Sequence, residues 1–140
     1  NGAFTDDKDF TNSNKNLLAG TRLQYKTDKW LLVAHYMYGE NTRQYVDDST
    51  DVPAFVKYMT NDFFGKSQFA ELYINVPLNK QLQLLAGTDF RFARMNSKYL
   101  SISSFGPFVD NFSDTSISMG SVYASLLYNR KGFHAEGGVR

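Results

Sequence analysis

The sequence contains no cysteine, only three prolines and no long run of apolar residues. Without cysteine, the chain forms neither a disulfide-bonded scaffold nor a thiolate metal site. Without an apolar run of about 20 residues, it offers no candidate for a membrane-spanning helix. The charge is nearly balanced, with 15 basic and 14 acidic side chains, so no basic excess favours nucleic acid as a partner.

Aromatic residues are instead abundant at 16% of 140 residues, and the stretch from residue 80 to 97, KQLQLLAGTDFRFARMNS, alternates between apolar and polar positions. A period of two sends successive side chains to opposite faces of a strand. One face would carry Leu82, Leu84, Ala86, Thr88, Phe90 and Phe92, and the other Gln83, Leu85, Gly87, Asp89, Arg91 and Ala93. Helical spacing would instead place Asp89 in the apolar stripe, and Gly87 weakens a helix. We therefore predict a long strand here.

The same period recurs elsewhere in the chain, and it predicts strands over residues 16–26, 30–45, 66–76, 116–128 and from residue 133 onwards. Short polar turns are predicted at residues 26–29, 77–80 and 129–132. Longer connections are predicted at residues 46–65 and 98–115. The fold class is thus all-β, an antiparallel up-and-down meander of about six long strands. In the fifth strand, Ile117 and Met119 fall on the parity opposite to Val122, which suggests a β-bulge or a change of facing near Gly120.

The alternation of short and long connections favours a partial transmembrane β-barrel. Outer-membrane barrels have short turns at one end and long loops at the other, whereas soluble meanders have short loops at both ends. The strands are also long enough to cross a bilayer, which takes about 9–11 tilted residues. Because the chain begins in a polar stretch and stops within a strand pattern, we expect it to be an internal piece of a larger protein.

Two segments carry a family resemblance: VPLNKQLQLLAGTDFRF, and SVYASLLYNRKGFHAEGGVR near the end of the chain. They resemble consecutive barrel strands of TonB-dependent outer-membrane receptors, closest to the siderophore and cobalamin receptors of Bacteroidetes-like bacteria. In the last segment a short turn leads into an aromatic residue, a pair of small residues and an arginine, namely Phe133, Gly137, Gly138 and Arg140. The resemblance extends over residues 16–140 and is sharpest over residues 66–97 and 116–140.

The resemblance implies a 22-stranded barrel in the bacterial outer membrane, with an N-terminal plug domain inside it. It also implies uptake of a scarce nutrient such as a ferric siderophore or cobalamin, driven by the TonB energy-transducing protein acting through the plug. Residues 1–140 would then be a fragment of one barrel domain, without the plug and the remaining strands. The expected partners are outer-membrane lipid, TonB and a small-molecule or chelate ligand, with no nucleic acid.

Two sets of candidate site residues follow from this interpretation. Charged and polar side chains on the polar strand faces are expected to face the lumen: Arg22, Glu71, Asp89, Arg91, His134, Glu136 and Arg140. An alternative is that these groups are merely solvated or paired on a wet surface. Aromatic side chains of the two long connections are candidates for ligand binding: Tyr45, Phe55, Tyr58, Phe63, Phe64, Tyr99, Phe105 and Phe108. These aromatic residues could equally pack on one another.

We expect no catalytic residue, no metal site and no cofactor, so the protein is not predicted to be an enzyme. The acidic stretch at residues 47–51 alternates like a calcium loop, but Val52 and Tyr58 stand where an EF-hand needs Gly and Glu. A competing hypothesis is a soluble β-barrel or sandwich that binds a small apolar ligand. The facing of the Leu82, Leu84, Ala86 and Phe90 row separates the two, because only a soluble protein seals that row inside. A diffusion porin is a variant of the first hypothesis.

Overall fold

The computed structural model describes residues 10–48 and 56–140, which form one antiparallel meander. Its strands are β1 (Thr11–Lys26), β2 (Leu31–Asp47), β3 (Val56–Pro77), β4 (Leu82–Ser103), β5 (Gly106–Arg130) and β6 (Phe133–Val139). Each strand pairs with its neighbours in sequence, so β1 and β6 lie at the two edges of an open sheet. The predicted all-β meander is therefore confirmed.

Two of the predicted tight turns are built around a side-chain oxygen that accepts backbone hydrogen bonds. Between β1 and β2, Thr27 Oγ1 accepts from the N–H groups of Lys29 at 3.2 Å and Trp30 at 3.1 Å. Between β3 and β4, Asn79 Oδ1 accepts from Gln81 at 2.8 Å and Leu82 at 3.0 Å. Thr and Asn are favoured in turns for this reason, because their side chains replace a missing backbone acceptor.

The third predicted turn, between β5 and β6, depends on backbone conformation. Lys131 and Gly132 both have positive φ, at 49° and 83°. Positive φ at both central residues is the geometry of the two-residue hairpin turn whose twist matches the flanking strands. It fixes the register of the last hairpin, in which Arg130 lies opposite Phe133 and Ala124 opposite Val139.

The predicted long connection at residues 98–115 is wrong. β4 continues to Ser103 and β5 begins at Gly106, which leaves a two-residue turn in which the N–H of Phe105 donates to Ser103 Oγ at 3.2 Å. Gly106 has a φ of 106°, which favours glycine. The strands continue here because backbone pairing, unlike the apolar alternation used for prediction, requires no particular side chain.

The other predicted connection, residues 46–65, is also shorter than expected. β2 reaches Asp47 and β3 begins at Val56, while residues 49–55 lie outside the described chain. β3, β4 and β5 consequently contain 22, 22 and 25 residues. One of the two predicted long loops is therefore absent, and the strand faces become the better guide to function.

Backbone packing divides the described chain into two units. Unit 1 contains residues 10–17, 40–48, 56–66 and 94–116, and unit 2 contains residues 18–39, 67–93 and 117–140. The segments of β1 to β5 that belong to unit 2 contain between 9 and 14 residues each. Among the apolar side chains that the structure describes, only Val33 is fully buried, at 1% exposure.

Candidate functional site

One face of unit 2, which we call the apolar face, carries large hydrophobic side chains that are exposed. Val122 and Val139 are 75% and 77% exposed, and Val139 lies opposite Ala124, two residues from Val122 on the same face of β5. Strand parity places the following exposed side chains on this face: Leu23, Tyr25, Tyr36, Leu72, Phe90, Val122, Leu126, Phe133 and Val139.

The β4 row that separates the two hypotheses belongs to this face and is not sealed in a core. It consists of Leu82, Leu84, Ala86 and Phe90. Phe90 is 49% exposed, and Leu82, Leu84 and Ala86 are only half-buried. Within the residues that the structure describes, this row therefore does not fill a closed interior.

Aromatic pairs flank two of the tight turns on the apolar face. The rings of Tyr25 and Trp30 lie 5.4 Å apart beside the β1–β2 turn, and those of Tyr128 and Phe133 lie 6.3 Å apart beside the β5–β6 turn. Tyr and Trp have an apolar ring with one polar atom, so they suit a boundary between an apolar region and water. These pairs thus mark the turn end of the apolar face.

The opposite face of unit 2, the polar face, holds a charge cluster around Asp89, which is only 6% exposed. Asp89 Oδ2 accepts a hydrogen bond from Arg140 Nη2 at 2.8 Å and a second from Ser121 Oγ. Arg140 Nε also donates to Ser121 Oγ at 3.1 Å, and Arg91 Nε lies 3.5 Å from Asp89 Oδ1. The cluster joins β4, β5 and the residue after β6, and it keeps a nearly buried carboxylate paired.

A second set of polar contacts on this face joins β1, β3 and β5. The Tyr123 hydroxyl donates to Glu71 Oε1 at 2.9 Å, and Arg22 Nη2 donates to the Tyr73 hydroxyl at 3.3 Å. Gly87 lies between them, and a Cβ there would fall 2.7 Å from both Tyr73 Cβ and Tyr123 Cζ. Glycine at this position therefore leaves room for the Tyr123 ring.

The structure brings most of the predicted polar residues together. Arg91, Asp89, Glu71, Glu136 and Arg140 line one open cleft. Arg22 lies on the same face through its contact with Tyr73, whereas His134 is not among the described residues that line the cleft. Whether this cleft is a lumen stays a prediction. The sequence analysis missed Ser121 and Tyr123, although both alternate with Val122 and therefore fall on the polar face of β5.

The aromatic candidates lie mostly within strands of unit 1, not in loops. Tyr45 is in β2, Tyr58, Phe63 and Phe64 are in β3, Tyr99 is in β4 and Phe108 is in β5, while Phe105 lies in the β4–β5 turn. Phe55 falls outside the described residues. Their ligand-binding role stays a prediction. The expected placement in loops is wrong for the candidates that lie in β3, β4 and β5, because the strands extend beyond the apolar alternation.

Unit 1 groups some of these rings into two separate sets. Tyr45 lies between Phe10 and Phe63, at 5.8 Å and 6.0 Å between ring centroids, with the Arg43 guanidinium 4.4 Å from its ring centre. Tyr99 contacts Phe108 at 6.2 Å in another part of the unit. This arrangement agrees with the alternative that aromatic residues pack on one another.

Unit 1 also contains polar contacts that the sequence analysis did not anticipate. The Asn41 amide donates to Asn14 Oδ1 at 2.9 Å and to Asn16 Oδ1. Arg94 forms an ion pair with Asp114, which also accepts from Asn96 at 3.2 Å. The hydrogen bond from Arg94, followed by the one from Asn96, lowers the pKa of the Asp114 carboxyl, and the same pairing raises the pKa of Arg94.

No protein-family model matches the chain, and no curated protein is significantly similar to it. Among the residues that the structure describes, no helix is long and apolar enough to cross a membrane. The two faces of unit 2 and the resemblance noted in the sequence are therefore the guides to function.

Proposed function

We propose that this chain is a segment of the barrel of a TonB-dependent receptor in the bacterial outer membrane. The receptor would take up a scarce nutrient such as a ferric siderophore or cobalamin. The observation that carries the proposal is the distribution of side chains in unit 2. Large hydrophobic side chains such as Val122 and Val139 are exposed on one face, while Asp89 and its arginine partners occupy the other.

The stability of unit 2 depends on the solvent that meets its apolar face. Burying a Val, Leu or Phe side chain contributes roughly 1.5–3 kcal/mol. Leaving this many of them largely in water forgoes on the order of 10 kcal/mol, as much as the whole stability of an ordinary domain. Soluble proteins rarely expose continuous apolar patches larger than a few hundred Å². Contact with lipid hydrocarbon removes this penalty.

Strand length and aromatic placement support the same interpretation. The unit 2 segments of 9 to 14 residues cover the roughly 9–11 residues that one tilted bilayer crossing needs. The Tyr25–Trp30 and Tyr128–Phe133 pairs occupy the turn end of the apolar face, where outer-membrane barrels carry an aromatic girdle. The polar face would then line the inside of the barrel.

The more specific parts of the proposal depend on the sequence resemblance. Residues 66–97 and 116–140 are similar to barrel strands of TonB-dependent receptors. This similarity is the basis for proposing a plug domain, TonB as a partner and a scarce nutrient as the ligand. The competing soluble barrel or sandwich requires a sealed apolar core. Among the described residues only Val33 is a fully buried hydrophobic side chain, which favours the membrane protein over that alternative.

Cell fractionation and uptake measurements on the full-length protein test the proposal. We expect the protein in the outer-membrane fraction, with a mobility in SDS gels that changes on boiling, as folded barrels show. Deleting its gene should abolish TonB-dependent uptake of radiolabelled cobalamin or of a ferric siderophore. Purification as a soluble monomer without detergent would contradict the membrane location, and unchanged uptake of both nutrients would contradict the receptor role.

A further inference from the structure

The polar face of unit 2 contains an apolar cavity that a charged lumen does not explain. The cavity has a volume of about 480 Å³, and its lining includes Leu18, Met37, Phe69, Ile117 and Met119. Three of these side chains are largely accessible, with Leu18 at 73%, Ile117 at 54% and Met119 at 52% exposure. They form an apolar surface within a face that elsewhere carries charged and hydroxyl groups.

Strand parity shows that this surface is not a continuation of the apolar face. Ile117 and Met119 alternate in step with Ser121, which hydrogen-bonds to Asp89 on the polar face. Both also line the cavity together with Phe69, so no change of facing near Gly120 is required to place them. Exposed apolar side chains that line a concave region of an otherwise polar face are typical of a binding site.

The cavity has one charged group among its described lining residues, Arg91. The Arg91 guanidinium lies 5.2 Å from the centre of the Phe69 ring, and its side chain is 52% exposed. Its contact with Asp89 runs through Nε at 3.5 Å, while Arg140 forms the shorter pair with that carboxylate at 2.8 Å. Arg91 therefore keeps donor capacity on its terminal nitrogens, which suit a planar carboxylate.

We propose that this cavity binds a small amphipathic organic anion. Its apolar body would lie between Phe69 and the Ile117 and Met119 side chains, and its carboxylate would pair with Arg91. The volume falls within the range of roughly 300–1,000 Å³ that is usual for small-molecule sites. A polypeptide segment fits less well, because its backbone groups need hydrogen-bond partners that the mostly apolar lining provides sparingly. The inference goes beyond the proposed function, on which it depends only for the biological use of the ligand.

A binding experiment with a rigid aromatic anion tests this inference. The full-length protein is reconstituted in lipid nanodiscs and titrated with 6-fluoro-2-naphthoate, which is followed by ¹⁹F NMR against empty nanodiscs. The matched neutral probe is 6-fluoro-2-naphthamide. We expect the anion to bind about tenfold more tightly than the amide, because a hydrogen bond to a charged group contributes about that factor.

Variants of the protein assign the preference to Arg91. Arg91→Gln should abolish the preference for the anion, while Arg91→Lys should retain part of it. Arg22→Gln is the control, since Arg22 is a cation of the same face that lies outside the cavity and contacts Tyr73. Ile117→Asn should weaken both probes by making the cavity wall polar. Each variant is first checked for the boiling-dependent gel mobility of the parent.

Four results would overturn the inference: no binding of naphthoate, equal affinity for the two probes, a preference that survives Arg91→Gln, or a cavity closed to solvent. The last is measured by labelling an Ile117→Cys variant with a water-soluble maleimide. Residues 1–140 contain no cysteine, and any cysteine elsewhere in the full-length protein is first replaced by serine. If the protein is embedded in lipid but does not bind naphthoate, only this inference is contradicted and the proposed function stands. A protein that stays in solution without lipid contradicts the proposed function, and the same titration in buffer then decides the inference.

Discussion

The Tyr123 hydroxyl donates a hydrogen bond of 2.9 Å to Glu71 across strand β4, and it passes that strand at Gly87. Tyr123 belongs to β5 and Glu71 to β3, so one side chain connects three successive strands. A one-residue slip in register would move Tyr123 to the opposite face, so this contact and the glycine beneath it favour a single register.

A side chain at position 87 should therefore be destabilising. A Cβ there would lie 2.6 Å from the Tyr123 hydroxyl oxygen and 2.7 Å from Tyr73 Cβ. Both distances are shorter than those that real Cβ atoms show. We expect Gly87→Ala to lower the free energy of unfolding by about 1–3 kcal/mol, the usual cost of overpacking. Urea denaturation of the lipid-reconstituted protein measures it.

Gly137→Ala is the matched control for this substitution. A Cβ at Gly137 would meet nothing within 4 Å in the described structure, so its effect should stay within about 0.5 kcal/mol. Equal effects of the two substitutions would show that Tyr123 does not occupy the space above Gly87.

A charge on the apolar face should be costly if that face meets lipid. Val122 is 75% exposed in unit 2, and we expect Val122→Arg to destabilise the reconstituted protein by about 2–4 kcal/mol, as at the lipid-facing surface of barrels. Val109→Arg provides the comparison, because Val109 is 59% exposed on the same strand in unit 1 and should tolerate the charge. If both variants are neutral, the exposed apolar face meets water.

The Arg94–Asp114 pair of unit 1 predicts a pH-dependent contribution to stability. The pKa of Asp114 lies below its ordinary value of 3.8 because Arg94 and Asn96 hydrogen-bond to the carboxylate. The pair therefore stabilises the folded state at pH values above the ordinary Asp pKa of 3.8, and this contribution is lost as the pH falls through the lowered pKa. Both partners are half exposed, at 49% and 48%, so the effect should be small and should weaken in salt.

Asp114→Asn tests this pair by denaturation at pH 7 and at pH 2. The variant should be less stable than the parent at pH 7, and the difference should shrink as the pH falls below the ordinary Asp value of 3.8. Asp110→Asn removes a carboxylate from the same strand, for which the described structure shows no hydrogen bond or ion pair, and should leave stability unchanged at both values. A difference between Asp114→Asn and the parent that is as large at pH 2 as at pH 7 would contradict the account.

Sequence reasoning predicted the strand faces well because a period of two is a local property. The residues assigned to the polar side of β4, Asp89 and Arg91, do meet Glu71 and Arg140 in one cleft. The extent of the strands could not be predicted in the same way. Beyond residue 97 the chain is polar or mixed, and nothing local distinguishes a paired strand from a loop until the turn at Phe105 is known.

The connections across strands were also beyond local reasoning. The Tyr123–Glu71 bond joins residues 52 positions apart, and it requires the registers of two hairpins as well as the space at Gly87. The parity of Ile117 and Met119, opposite to that of Val122, suggested a β-bulge or a change of facing near Gly120. The cavity that they line with Phe69 explains their parity without one.

The facing of unit 2 is the central claim, and single introduced cysteines test it most directly. Residues 1–140 contain no cysteine, and any cysteine elsewhere in the full-length protein is first replaced by serine. Val122→Cys on the apolar face and Glu136→Cys on the polar face are compared in lipid nanodiscs with two thiol reagents. The account predicts that Val122→Cys reacts with a lipid-soluble pyrenyl maleimide and resists a charged water-soluble one, while Glu136→Cys reacts with the charged reagent. Rapid labelling of Val122→Cys by the charged reagent would contradict it.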